Sequence, residues 1–321
     1  MDILEKGFHQ REDGRISLPC LWRDNSRIAS NFDYALKRLD QLINSPLLTE
    51  GDNNQLYDEV FSQWEKDEII KQVYVDNPRK NGFYWAHFPV IKKDRQTTKI
   101  RPVFDGKAKN FEGRSINSYI MAGPVLLNDL TQVLMHFRSH QNAILADISL
   151  MFLQILLKEE DQEYHRFLWY RNNKLVIFQC LRHIFGNAGS PAVAIFAIMK
   201  LAWIYRFELP EAYKTVLAAT VMDDFVDSRP TITQAIELVK ELQLLFPKCQ
   251  MKIAKFFSNR LDVLNTVPPA LRQVPKDESC IRVLGLKWNP KRDSMSIKIP
   301  NIPSQEWNKR KLLSHLSLIH I

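Results

Sequence analysis

Two adjacent carboxylates, Asp223-Asp224, lie between the β-prone flanks Ala218-Thr220-Val221 and Phe225-Val226. Acidic residues are depleted from strands, so a pair at a hairpin turn needs a reason. Holding hard cations is one reason, and an ordinary polar turn is the other. A third carboxylate, Asp147, closes a separate apolar run, Ala143-Ile144-Leu145-Ala146-Asp147-Ile148. If the two strands pair, Asp147 and Asp223 converge on one sheet edge. Carboxylates placed so can hold two Mg²⁺ ions for in-line phosphoryl transfer. Between them runs Phe185-Gly186-Asn187-Ala188-Gly189-Ser190-Pro191. Its glycines allow close backbone approach, and the following helix start offers free N–H groups to an anion. A glycine-rich turn before a buried helix reads equally well from these residues alone.

The elements that must position these groups follow from periodicity. Gln141 to Ile148 reads as a buried strand and Ala218 to Asp227 as a hairpin. Ser190 to Phe207 is apolar nearly all round, which predicts a buried helix with Pro191 in its first turn. Thr231 to Phe246 is amphipathic, with a Thr231/Gln234 capping box and an apolar stripe of Ala235, Leu238, Leu242 and Leu245. Upstream, helices are expected over Asp33 to Leu47 and Gln55 to Val73. Phe83 to Lys92 and Lys99 to Phe104 flank the polar segment Lys93 to Thr98, the pattern of a β-hairpin with a basic tip. The order strand, helix, hairpin, helix describes an α+β fold with helices on one face of a sheet.

With 321 residues the chain is long enough for two or three packed subdomains. Apolar residues at 45% and charged residues at 25% exclude a disordered chain. The net charge of +8 favours an anionic partner without specifying one. Cys20, Cys180, Cys249 and Cys280 lack metal-site spacing and read as thiols in a reducing compartment. No apolar stretch is long enough to predict a membrane span, and the first residues carry no secretory signal. The apolar end Leu312-Leu313-Ser314-His315-Leu316 onward suggests a cut helix, and both ends read as fragment boundaries.

Asp147 with Phe152, then Phe185 to Pro191, then Val221-Met222-Asp223-Asp224 resemble motifs A, B and C of reverse transcriptases, in that family's order. Further segments resemble the BEL/Pao group of LTR retrotransposons: HFPVIKK at 87–93, TTKIRPVFD at 97–105, SIN at 115–117, ADISLMFLQI at 146–155, KFFSN at 255–259 and LGLKW at 284–288. LPCLW at 18–22 and DYALKRL at 33–39 fit the segment that precedes the polymerase there, so the resemblance covers almost the whole chain.

The resemblance implies a right-hand polymerase of fingers and palm, with an antiparallel palm sheet backed by helices and a truncated thumb. It divides the chain into a helical lead-in (1–75), fingers with part of the palm (76–145), a palm (146–290) and the start of a thumb or connection (291–321). The implied activity is RNA- and DNA-templated DNA synthesis on two Mg²⁺ ions, for which Mn²⁺ can substitute. Asp147, Asp223 and Asp224 become the catalytic carboxylates and metal ligands, with the Ile148 carbonyl as a further ligand. Arg101 and either Lys92 or Lys93 meet the incoming dNTP, Phe152 packs under its deoxyribose, and Phe185 and Gly186 line the same site. Lys255 sits near the leaving pyrophosphate, and Leu284 to Trp288 forms a primer grip.

Implied partners are an RNA or DNA template–primer and dNTP, with no membrane, and RNase H, integrase and protease regions in the full polyprotein. The implied location is a cytoplasmic virus-like particle, or the nucleus. Where the family has glutamine and tyrosine, this chain has Phe185 and Val221. Asp227 reads as a surface turn residue rather than a third acid. The second reading of the chain is a truncated, inactive relic that at most binds nucleic acid.

Overall fold

The structure is a computed structural model that describes residues 1–91, 100–273 and 280–297, together with Asn308, Lys309 and Leu312. It is a mixed α/β fold with several antiparallel sheets, divided into two compact units. The first comprises Met1–Leu127, Leu150–Tyr205 and Leu245–Met251; the second comprises Asn128–Ser149, Arg206–Leu244 and the residues from Lys252 onward. Lys92 and Lys93, and the expected basic hairpin tip, lie outside the described residues.

In the first unit, Ile70–Val73, Lys174–Cys180 and Arg166–Arg171 form an antiparallel sheet in that spatial order, its middle strand Lys174–Cys180. Asn172 and Asn173 make its tight turn, both with positive φ (49° and 58°), the geometry that asparagine tolerates best after glycine. His87–Ile91 pairs antiparallel with Ile100–Phe104, as the flanking apolar runs predict. An aromatic cluster holds this unit: Phe61 lies 5.0 Å from Phe167 and 4.8 Å from Tyr57, ring to ring. His87 is buried inside the cluster, where it accepts from the Tyr57 hydroxyl and donates to the Leu168 carbonyl. Burial pushes its pKa down to about 4, so the imidazole is neutral and both nitrogens are satisfied. The helix expected over Gln55 to Val73 instead covers Asn53–Lys66, and Ile70–Val73 is a strand. Glu68, with φ of 53°, ends the helical path, and the Leu181 N–H donates to the Ile69 carbonyl beside the new strand. Ser190–Ile204 is the buried helix, ending three residues before Phe207, which is 86% exposed.

The second unit carries a four-stranded antiparallel sheet in the order Thr220–Val221, Asp224–Arg229, Asn142–Ile148, Ile253–Ser258. Leu130–Arg138, opened by the Asp129 carboxylate accepting from the Gln132 N–H, contributes Val133 and Phe137 to a core with Ala143, Leu145, Val226 and Trp288. The hairpin Ile281–Val283/Leu286–Asn289 supplies Trp288, fully buried with its ring 5.1 Å from Phe137. The Ile232–Leu245 helix starts as its sequence predicts, the Gln234 N–H donating to Thr231 Oγ1 at 3.2 Å, and its expected stripe is buried throughout. No helix among the described residues is long and apolar enough to cross a membrane.

Asp227 corrects the sequence reading. It is not a surface turn residue but is buried at 1% exposure within the Asp224–Arg229 strand. Its carboxylate faces His136 Nε2 at 2.9 Å and accepts from Thr215 Oγ1, the Ser228 N–H and Arg229 Nη1 at about 2.5 Å. A polar side chain of this valence is tolerated inside because every acceptor site has a donor. Burial alone raises its pKa, but the His136 hydrogen bond and the Arg229 charge outweigh that and hold it below the ordinary carboxylate range. The same hydrogen bond raises His136.

Asp227→Ala should cost roughly 3–5 kcal/mol of unfolding free energy near neutral pH, because buried Arg229 loses one of its two carboxylate partners and keeps Glu211 at 3.3 Å, while Thr215 and His136 lose their acceptor. Asp227, depressed in the fold, contributes stability that is present above about pH 3.9 and lost as pH falls through its folded pKa; His136, raised, contributes stability present below about pH 6.5 and lost as pH rises through its folded pKa. Chemical denaturation across pH 3–9 should therefore show the largest mutational cost between those limits. A cost independent of pH would contradict the pairing.

Candidate active site

Asp147 and Asp224 are directly opposed in the register of their paired strands. Opposed residues of an antiparallel pair project from the same face, with Cβ atoms about 4.5–5.5 Å apart. They stand on the face that carries Ala143, Leu145 and Val226, at the end of the sheet where the apolar core stops. Asp223 occupies the two-residue turn closed by the Val221–Asp224 pair, and its carbonyl accepts from the Ile148 N–H at 2.8 Å. Met222, the other turn residue, has a φ of 56°. A bulky side chain seldom adopts that conformation, which costs about 1–3 kcal/mol and clusters at functional sites.

The electrostatics of the three acids follow from this crowding. Burial first, then the charges of Asp223 and Asp147, push the Asp224 pKa up to about 6, while Lys255 opposes them. Lys255 Nζ lies 2.7 Å from Asp147 Oδ2. It reaches there from an irregularity in the Ile253–Ser258 strand: Ala254 pairs with Asp147 and Phe257 with Leu145, so one extra residue is inserted, and Lys255 has a φ of 55°.

Two carboxylates opposed on paired strands and a third in the adjoining turn are hard oxygen donors, the type that divalent cations such as Mg²⁺ or Mn²⁺ prefer. The raised Asp224 pKa marks negative charge that the protein leaves only partly compensated, which is what a cation would correct. No three carboxylate, imidazole or thiolate groups among the described residues form a ready-made cage, and Asp147 is engaged by Lys255.

Of the remaining described candidates, Arg101, Phe152, Phe185 and Gly186 lie in the first unit. Phe152 sits on the single 3₁₀ turn Met151–Gln154, entered through Leu150 with a φ of 51°. Phe152 is 7% exposed, and its ring rests 4.5 Å from that of Phe185, a residue 42% exposed. Gly186 has a φ of 99°, and a Cβ there would come within 2.3 Å of the Phe104 carbonyl, so glycine is required. Asn117 fixes this loop from both sides, donating to the Gly186 carbonyl at 2.9 Å and accepting from the Ala188 N–H at 3.0 Å. Its role as a clamp was not read from the sequence, although the Ser115-Ile116-Asn117 motif flagged the residue. Arg101 is exposed on the Ile100–Phe104 strand, paired in register with Val90. Ile148 is buried beside the acids.

Among solved structures, the chain is similar to the foamy viral protease–reverse transcriptase dRH in complex with ds DNA. The TM-score is 0.58 at 15% identity, over 92% of this chain and 42% of that one. The foamy viral protease–reverse transcriptase in complex with dsDNA gives the same TM-score and identity over 83% of this chain and 47% of that one. The fold is therefore reverse-transcriptase-like, and the chain spans less than half the length of these structures. No family model matches the chain, and no curated protein matches it.

Asp224→Asn should stabilise the metal-free protein by about 1–3 kcal/mol at pH 8, since it removes a buried charge facing two others. Because the folded pKa of Asp224 is raised, its penalty is full above about 6 and disappears as pH falls toward the unfolded value near 4. Thermal melts of both proteins in EDTA should converge at pH 4. A destabilised Asn variant at pH 8 would contradict this electrostatic reading.

Proposed function

We propose that the chain is the catalytic core of an RNA- and DNA-templated DNA polymerase, a reverse transcriptase of retroelement type, of the BEL/Pao group by its motifs. The observation that carries the proposal is the opposition of Asp147 and Asp224 across paired strands, with Asp223 in the adjoining turn. A reverse-transcriptase-like fold around this acidic sheet end supports it. The fingers, palm and thumb divisions remain part of the same proposal.

Asp147, Asp223, Asp224 and the Ile148 carbonyl would hold two Mg²⁺ ions, which when bound lower the pKa of the primer 3′-hydroxyl and neutralise charge on the transferring phosphate. The chain's own contribution is positional. The sheet register holds the Asp147 and Asp224 backbones opposed, so the carboxylates need not be gathered during the reaction. Lys255 supplies a flexible ammonium for the leaving pyrophosphate. Arg101, with Lys92 or Lys93, contributes cationic contacts to the triphosphate. Phe152, whose ring rests against that of Phe185, would pack under the deoxyribose and exclude a 2′-hydroxyl sterically. Gly186 leaves the loop backbone bare for close approach. These roles come from the motif resemblance.

A basic chain of net charge +8 suits a nucleic-acid template–primer, and the foamy viral structures were solved with double-stranded DNA. Affinity for primer–template should therefore fall steeply between 50 and 200 mM salt, by roughly 10-fold or more. The relic reading draws on Val221 in place of the family's tyrosine, a change that removes a ring but no carboxylate.

Asp147→Asn and Asp223→Asn should each reduce Mg²⁺-dependent primer extension to background while leaving the circular dichroism spectrum unchanged. Normal extension by either variant would remove the proposal. Phe152→Val should raise rNTP use relative to dNTP by roughly 5- to 150-fold, the equivalent of about 1–3 kcal/mol of steric discrimination. An unchanged dNTP/rNTP ratio in single-nucleotide extension would return Phe152 to a purely packing role.

A further inference from the structure

Lys255 is aimed at the acids by a local distortion. Regular alternation along the Ile253–Ser258 strand would send residue 255 to the face opposite Ala254, and Ala254 is the register partner of Asp147. The inserted residue and the positive φ of Lys255 break that alternation, and its ammonium arrives 2.7 Å from Asp147 Oδ2. A left-handed conformation at a lysine is disfavoured, so the contact is held against a backbone cost. The two partners differ in exposure: the Asp147 side chain is 17% exposed and that of Lys255 56%. The carboxylate is fixed by the sheet, whereas the ammonium hangs on a flexible stem in solvent and can leave without the backbone moving.

We propose that Lys255 is a built-in competitor for the divalent cation: its ammonium occupies Asp147 while no metal is bound and must swing away for the ion to enter. This rests on the metal-binding reading above. Asp147, Asp223 and Asp224 crowd three negative charges into one sheet end, and the lysine supplies part of the missing counter-charge in the metal-free protein. An entering cation takes over that task and frees the ammonium for an anion. An ion that arrives already bound to a polyphosphate therefore meets both needs at once, whereas a bare ion has to displace the lysine with nothing to receive it. The device favours loading of metal together with nucleotide over loading of metal alone.

The test is Mn²⁺ binding by the whole chain without nucleotide, read from the free-ion EPR signal, with thermal melting in parallel. Lys255→Met keeps the stem and removes the charge, and Lys255→Gln serves if that variant misfolds. Either should bind Mn²⁺ roughly 5- to 20-fold more tightly than wild type, the size expected for removing one charge-assisted hydrogen bond that competes with the ion. In EDTA the same variants should melt below wild type and gain more from added Mn²⁺. Lys255→Arg, which keeps a charge able to reach Asp147, should bind Mn²⁺ as weakly as wild type. Equal Mn²⁺ affinity in wild type and the uncharged variants, with Asp147→Asn binding more weakly, would overturn the competitor while leaving the metal site standing. No Mn²⁺ binding by any variant, or undiminished binding by Asp147→Asn, would overturn both.

Discussion

Two carboxylates are forced to face each other across a pair of hydrogen-bonded strands, and much of the second unit serves to keep them there. Asp147 opposite Asp224 is a like-charge pair at cross-strand distance, unfavourable by itself. The strands do not slip to relieve it because a one-residue shift would send Ala143, Leu145 and Val226 away from the Trp288 core and expose them. Apolar burial thus enforces an electrostatic strain. Asp227, farther along the same strand, anchors the register from the other end through Thr215, His136 and Arg229. The two aspartate settings differ in one respect: Asp227 has its charge fully answered, and Asp224 does not.

Three of the ten non-glycine residues with positive φ among the described residues lie close in sequence to the proposed site residues. Met222 in the acid turn, Lys255 on the bulge and Leu150 before the Phe152 turn all have positive φ. Each sits beside a group with a proposed chemical role, and each position would be easier for glycine. Where glycine does occur, at Gly186, an added Cβ would strike the Phe104 carbonyl. The chain accepts strain where a side chain is wanted and uses glycine where bare backbone is wanted.

Much of this was legible in the sequence. The buried strand ending at Asp147, the Asp223-Asp224 hairpin, the buried helix after Ser190 and the capped helix after Thr231 follow from apolar periodicity and turn chemistry, which are local. Other features depended on distant partners. Ile70 to Val73 continues a helical apolar pattern, yet it becomes a strand because Lys174–Cys180 offers an edge to pair with. The Arg166–Cys180 hairpin carries a local signal in its Asn172-Asn173 turn between aromatic and β-branched runs. Asp227 looked like turn chemistry because nothing nearby in sequence shows that Thr215 and His136 would converge on it. The Lys255–Asp147 contact was equally hidden, since a β-bulge and its register are properties of the paired strands and leave no periodic mark.

Templated DNA synthesis at the acidic sheet end, as proposed, is tested most directly by single-nucleotide incorporation with the wild-type chain. A primer annealed to an RNA template, with one next template base, should be extended by the complementary dNTP alone in Mg²⁺ or Mn²⁺, and EDTA should stop it. Failure to incorporate any dNTP with either metal, by folded protein shown to be bound to that primer–template, would contradict the account.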